Sequence, residues 1–207
     1  MIGDVNLLVI LLAAFAASLS PGPASLAIAG TSMARGRRAG LLLTAGIMVG
    51  SVSWSIAAAL GLGAVMLANA WVFEIIRYAG AAYLMYLAWR SARSALSSKE
   101  VKTKTVRGGA KALIARGAAL HITNPKSILF FGALYSIGIP VDASPMQLAI
   151  VVFAVGVQAT LIYSGYAILF SAPAMTRAYL RLRRWFEGAF AIGFGLAGLK
   201  IATARLQ

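Results

Sequence analysis

The sequence predicts an all-α polytopic membrane protein, with six transmembrane helices forming two inverted three-helix repeats and with helices 1 and 4 broken. Three observations predict it. No Asp, Glu, Lys or Arg occurs from Ala39 to Phe73 or from Ala143 to Thr176, and about 20 apolar residues already cross a bilayer as helix. Prolines interrupt two other apolar runs, at Ser20-Pro21-Gly22-Pro23 and at Asn124-Pro125-Lys126. Finally, the basic residues collect in alternate connections between the apolar runs.

Composition agrees. Of 207 residues, 60% are hydrophobic and 12% are charged, with a mean hydropathy of +0.84. Ordinary globular chains are nearer 45–50% apolar and about 25% charged, so one soluble domain of this size has no interior large enough for this much apolar surface. The net charge of +14 would suggest nucleic acid if it decorated a soluble face. Here it sits between apolar runs, where it reads as a topology signal and points to lipid, with no nucleic acid. The absence of cysteine excludes thiol redox chemistry, thiolate metal sites and disulfides. One histidine and no central acid leave no hydrolytic constellation either, so the chain does not read as an enzyme.

In chain order, the first span runs from about Val5 to Met33 and breaks at Pro21. Asp4 is the only charged side chain before Arg35; a signal peptide would carry a positive n-region, so this stretch reads as a retained first span. Arg35-Gly36-Arg37-Arg38 forms a basic loop, and the second span covers about Ala39 to Ala68. Asn69-Ala70-Trp71 turns the chain into a third span, about Val72 to Trp89. A polar connection from Arg90 to Arg116 divides the chain. The fourth span, about Gly117 to Ile139, carries the second break, and Pro140 to Pro145 turns it back. The fifth runs from about Met146 to Ala172 and stops at Pro173. Arg177, Arg181, Arg183 and Arg184 precede the sixth, about Trp185 to Ala204. The whole chain, 1–207, is one transporter domain, with repeat one at 1–96, a basic loop at 97–115 and repeat two at 116–207.

Fifteen of the nineteen Lys and Arg residues fall in loops 1–2, 3–4 and 5–6. The positive-inside rule puts those loops in the cytoplasm and both termini outside. Three spans per half force the second half to insert upside down relative to the first. At 1.5 Å per residue, both breaks then land near mid-membrane.

Such a break is the candidate site. Pro21 and Pro23 lack the N–H that a helix interior needs, and Gly22 adds backbone freedom. In lipid the freed backbone groups must meet protein or an aqueous cavity, and paired broken helices are a mark of secondary transporters. The carbonyl end of a half-helix suits an ammonium and the N–H end a carboxylate. Ser20, Pro21, Gly22, Pro23, Asn124, Pro125 and Lys126 are therefore the candidate substrate-binding residues. A charge as deep as Lys126 marks a functional position by default, against the alternative that it neutralises carbonyls freed by Pro125 or snorkels to an interface. Asn124 suits a helix cap. His121, the only histidine, is a candidate for coupling to protons or for a hydrogen-bonded packing role. None of the five acids, Asp4, Glu74, Glu100, Asp142 and Glu187, falls at a predicted midplane, and no buried carboxylate is expected to carry a proton. Glu74 and Arg77 are spaced to pair near the outer interface. Gly46 and Gly50, the Ala57–Gly61 row, and Gly193, Gly195 and Gly198 predict close helix contacts.

These residues resemble the lysine-exporter (LysE/RhtB) family of bacterial amino-acid efflux transporters over nearly the whole chain. The resemblance rests on three stretches in order. They are Pro21-Gly22-Pro23 followed by Arg35-Gly36-Arg37-Arg38-Ala39-Gly40 with Gly46 and Gly50, then Gly80-Ala81-Ala82-Tyr83-Leu84-Met85-Tyr86-Leu87, then Asn124-Pro125-Lys126 with Ile128-Leu129-Phe130-Phe131. It implies proton-driven export of amino acids or small derivatives from the bacterial cytoplasm through the inner membrane, by a compact six-helix unit without a cofactor. Ala24 stands where many relatives carry a polar or acidic residue, and the Pro-Gln-Phe ending of the fourth span is missing. No side chain then offers a counter-charge to a cationic substrate, which favours a neutral amino acid. A passive small-solute channel and a non-transporting membrane assembly partner are the competing functions. Homo-oligomerisation is left open by the sequence.

Overall fold

The computed structural model describes residues 5–20, 22–68, 70–97, 104–140 and 142–203. Among these the regular structure is entirely helical. In order, the helices are α1 (Leu7–Leu19), α2 (Pro23–Ala68), α3 (Ala70–Leu96), α4 (Ala110–Ile122), α5 (Pro125–Gly138), α6 (Pro145–Leu169) and α7 (Pro173–Thr203). Within them, Pro23–Gly61 and Pro145–Leu169 are long and apolar enough to cross a bilayer.

Local chemistry accounts for the starts and stops. Proline opens α5, α6 and α7, at a first turn where its missing N–H costs no hydrogen bond. At α6 the Ser144 hydroxyl accepts from Gln147 N at 3.3 Å while Gln147 Oε1 accepts from Ser144 N at 2.7 Å, a reciprocal cap. Gly36 turns the long α2 at φ +79°, a backbone state that glycine reaches without a Cβ penalty. The basic stretch 35–38 is thus a hinge between two helical arms, 23–35 and 37–68, and no loop intervenes.

The helices outrun the apolar spans at several ends. α3 continues to Leu96, α4 starts at Ala110 and α7 starts at Pro173, so residues predicted as loop at 90–96, 110–116 and 177–184 are helical. Those stretches are rich in Ala, Leu, Lys and Arg, all good helix formers. Hydropathy registers where the hydrocarbon ends, and the helix continues past that point. Segment 104–109, the described part of the connection, lies across the first arm of α2. The Arg35 guanidinium donates to Val106 O at 3.0 Å and Gly108 O at 2.8 Å, and Val106 N donates to Thr31 Oγ1 at 3.0 Å. Gly30 leaves the room for it, since a Cβ there would sit 2.8 Å from Lys104 O.

The chief packing partners are α3 with α7, and α2 with α4 and α6. Gly46 and Gly117 let α2 and α4 touch backbone to backbone: a Cβ on Gly46 would run into Ile114 O, and one on Gly117 into Leu43 O. Gly198 similarly accepts Met85 and Ala81 O of α3 against α7. The Ala57–Gly61 row differs from expectation. Among the described residues nothing lies within 4 Å of a Cβ placed on Gly61, and Ala57 is exposed; the two face outward from α2, and Gly193 of α7 is likewise open, against expectation.

The surface is far more apolar than that of a water-soluble protein, while small polar side chains share the interior with a hydrophobic core. Phe153, Leu161, Leu8, Leu60 and Leu196 are each more than 60% exposed, while Ser18, Ser25, Thr31, Ser51, Ser55 and Ser127 are buried. Large contiguous apolar surface is rare on soluble monomers. Against acyl chains it costs nothing, and small polar residues inside let helices approach.

Filling the α2–α4 crossing should be costly. Gly46→Val is expected to destabilise by about 1–3 kcal/mol, the usual range for overpacking, while Gly61→Ala should be neutral. Unfolding midpoints in detergent check both, and equal midpoints for the two variants would contradict the packing described.

Candidate functional site

The first break arises where α1 cannot continue. Ser20 N still bonds Ala16 O at 2.9 Å, but the Ser20 backbone turns extended at ψ 130°. The chain resumes as helix at Pro23. The last carbonyls of α1 therefore lose their intrahelical partners. Side chains from two other helices replace them. Lys126 Nζ, on the first turn of α5, donates to Ala17 O at 3.1 Å and to Ser20 O at 3.2 Å. Tyr166 Oη, on α6, donates to Leu19 O at 2.7 Å. At the new helix start, Ser25 Oγ accepts from Gly22 N at 2.9 Å.

The second break is built in the same way. Thr123 ends α4, with its N and Oγ1 both bonded to Ala119 O at 2.9 and 2.8 Å. Trp54 Nε1, on α2, donates to Ile122 O at 3.1 Å. Asn124 caps α5, its Oδ1 accepting from Lys126 N at 3.1 Å, as its residue type predicts.

Lys126 is where the two breaks meet. The ammonium does not neutralise carbonyls freed by its own Pro125; it sits on those freed at the other break, at the negative end of α1. Gly22 makes room for it, because a Cβ there would lie 3.3 Å from Lys126 Cδ and Nζ. An ammonium has three donors, and the α1 carbonyls engage two.

One hollow joins the two breaks. Ser20, Gly22, His121, Asn124 and Lys126 all line it, together with Ser18, Ser25, Ser51 and Ser127. Apolar side chains, among them Phe130, Phe131, Val155 and Ala159, complete its lining. Its cavity volume is about 40 Å³, room for a few waters and well below the range of small-molecule sites, so a substrate enters only when the surrounding helices part. No carboxylate of the described residues lines it. His121 is 4% exposed, and neither ring nitrogen has a hydrogen-bond partner among the described residues. The hydrogen-bonded packing role expected as one option for this ring is thus not what the structure shows. Its Cβ lies against α2, 2.9 Å from where a Gly50 Cβ would be.

The remaining sequence candidates fall outside the hollow or outside the described residues. Pro23 is exposed on the first turn of α2. Pro21, the Pro125 side chain and the Glu74–Arg77 pair lie outside the described residues. Among the described residues no group of His, Cys, Asp or Glu is arranged to hold a metal ion.

Sequence reasoning missed Tyr166 and Trp54. Each is an aromatic residue inside an apolar run with no local signal, and only its position opposite a break makes it a cap. It also expected no buried carboxylate. Glu187 overturns that: it is 3% exposed on α7, with Ser94 Oγ of α3 donating to Oε1 at 2.8 Å. It lies behind four arginines at the margin of its apolar run, where hydropathy reads interface.

A family model described as LysE type translocator matches residues 15–205. Among curated proteins, the chain is 30% identical to the threonine efflux protein of Escherichia coli K12 over 87% of this chain and 90% of that one. It is 28% identical to the leucine efflux protein of Klebsiella pneumoniae over 99% and 97% respectively. No solved structure matches the chain.

Removing one cap should be measurable without touching the hollow's lining. Tyr166→Phe orphans Leu19 O and is expected to destabilise by about 1–2 kcal/mol, the range for hydrogen bonds between helices in membranes. Trp54→Phe should do the same at Ile122 O. Thermal unfolding in detergent reads both, and unchanged midpoints would mean the caps contribute nothing.

Proposed function

The chain belongs to the LysE type translocator family, whose members are transporters and not enzymes, and on that premise we propose that it is a secondary-active exporter of amino acids or small amino-acid derivatives, driven by the proton gradient across the bacterial inner membrane. The observation that carries this reading is the single hollow in which both helix breaks and the Lys126 ammonium converge. Threonine and leucine efflux proteins among the relatives support an amino-acid cargo.

The substrate sits mid-membrane between the breaks. Its carboxylate takes the third donor of Lys126 and the N–H ends of α2 and α5 near Gly22 and Asn124, where helix dipoles favour negative charge. Its ammonium turns to the hydroxyl-rich wall and to His121, and its side chain to Phe130, Phe131 and Val155. With no carboxylate among the described residues of the wall, a zwitterion of zero net charge is the natural cargo. His121 is the candidate for relaying protons, since its ring nitrogens have no partner among the described residues.

Six spans in two inverted repeats remain the reading of topology. The two caps support it: Trp54, from the second span of repeat one, serves the broken helix of repeat two, and Tyr166, from the second span of repeat two, serves the broken helix of repeat one. Basic loops face the cytoplasm and the termini lie outside, as the charge distribution directs.

In proteoliposomes loaded with a neutral amino acid, efflux should saturate and should accelerate when a pH gradient is imposed. Lys126→Ala, once shown to insert, should lose at least about tenfold in efflux, the equivalent of one 1.4 kcal/mol contact. Non-saturable flux indifferent to the gradient would identify a passive channel, and normal efflux in the variant would remove Lys126 from the site. Because the chain has no cysteine, single-cysteine variants at 36 and 178 should label only from the cytoplasm, and one at 142 only from outside.

A further inference from the structure

The carbonyls freed at the first break are capped in two different ways. Leu19 O receives Tyr166 Oη at 2.7 Å, and both residues line an apolar pocket on the α7 side, apart from the hollow. Ala17 and Ser20 line the hollow itself, and their carbonyls receive Lys126 Nζ at 3.1 and 3.2 Å. A tyrosine ring is a rigid donor, whereas an ammonium on a flexible aliphatic stem can leave. The permanent cap thus serves the carbonyl that faces away from the site, and the detachable one serves the pair that faces into it.

Neutral carbonyls hold an ammonium less strongly than a carboxylate does, and no carboxylate of the described residues lines the hollow. A carboxylate that enters therefore draws the Lys126 head toward itself. Ala17 O and Ser20 O cannot then stay bare inside a membrane. An ammonium is the ligand that suits them: they stand at the negative end of α1, beside the gap at Gly22, where a Cβ would lie 3.3 Å from the lysine Cδ and Nζ. The α-ammonium of an amino acid is chemically the same head group, and it arrives attached to the carboxylate that displaces the lysine.

We propose that Ala17 O and Ser20 O form a subsite for a primary ammonium, which Lys126 fills as a tethered surrogate while the carrier is empty and the substrate's α-ammonium fills when it is loaded; this rests on the export reading above. The substrate carboxylate first meets the donor that Lys126 has to spare, then pulls the head off the carbonyls. The substrate ammonium, guided along the wall at Ser18, takes the vacated place. Occupancy is exclusive, one ammonium at a time. With the lysine head seated the hollow shrinks to about 40 Å³ and its freed carbonyls are covered, which is what an emptied carrier needs in order to return across the bilayer.

Lys126→Met tests this, because methionine keeps an unbranched stem and carries no ammonium. Proteoliposomes are loaded with a labelled neutral amino acid, with no pH gradient imposed. Exchange against unlabelled substrate outside needs only the loaded carrier to cross, whereas net efflux into substrate-free buffer also needs the empty one to return. The variant should lose net efflux at least about tenfold more than exchange, the weight of one lost contact. External methylammonium should then act in opposite directions on it, raising net efflux by standing in for the lysine head and slowing exchange by competing with the substrate's ammonium. Tetramethylammonium, which has no N–H to donate, should do neither. Net efflux and exchange that fall together, or that methylammonium raises together, would overturn the proposal and leave Lys126 a ligand of the substrate carboxylate alone. Indifference to methylammonium would overturn it and leave the lysine a structural cap. Should the methionine variant not insert, Gly22→Ala crowds the lysine head while keeping the carbonyls; its net efflux should also fall more than its exchange, and an unchanged ratio overturns the proposal. A wild type without saturable exchange is the separate failure of the export reading.

Discussion

A backbone carbonyl that leaves a helix inside a membrane must find a donor within the protein. Ala17, Leu19 and Ser20 at the first break and Ile122 at the second carry such carbonyls, and much of the interior answers them. Lys126 and Tyr166 supply donors to α1, Trp54 supplies one to α4, and Ser25 and Asn124 receive the N–H groups at the helix starts. Each donor comes from another helix or from the other half of the chain. Satisfying the breaks is therefore also what registers the helices against each other. The same groups line or adjoin the hollow, so stability and binding draw on one set of atoms.

Small residues make this arrangement possible. Gly22 lets the Lys126 stem pass, Gly46 and Gly117 bring α2 and α4 into backbone contact, and Gly50 accommodates His121. Buried serines keep the interior hydroxyl-rich while bulky aliphatic side chains face outward. In water this partition would be unstable. In hydrocarbon the outward face is neutral, and packing and hydrogen bonds supply the cohesion.

Much of this was legible in the sequence, for identifiable reasons. Charge-free runs mark where chain can lie in lipid, and proline pairs mark where helix must stop; the breaks stand at Ser20–Gly22 and at Thr123–Asn124, where those residues put them. Asn124 as a cap followed from residue type alone. What one sequence could not register was which helix meets which. Lys126 was legible as an out-of-place charge, but its carbonyl partners lie more than a hundred positions away. Tyr166 and Trp54 carry no local signal. Glu187 was misread because its neighbours in sequence are arginines, whereas its neighbours in space include Ser94 of α3. Helix ends beyond the apolar runs were also invisible, because hydropathy reports solvent and the helix is set by propensity.

The segment 104–109 changes how the join between the two halves should be regarded. It is stitched to Arg35 and Thr31 on one side and runs directly into α4 on the other. A slack tether would let each half rock independently. An anchored one binds the arm before Gly36 to the root of α4, the helix that carries His121 and ends at the second discontinuity, so that neither can shift without disturbing the other.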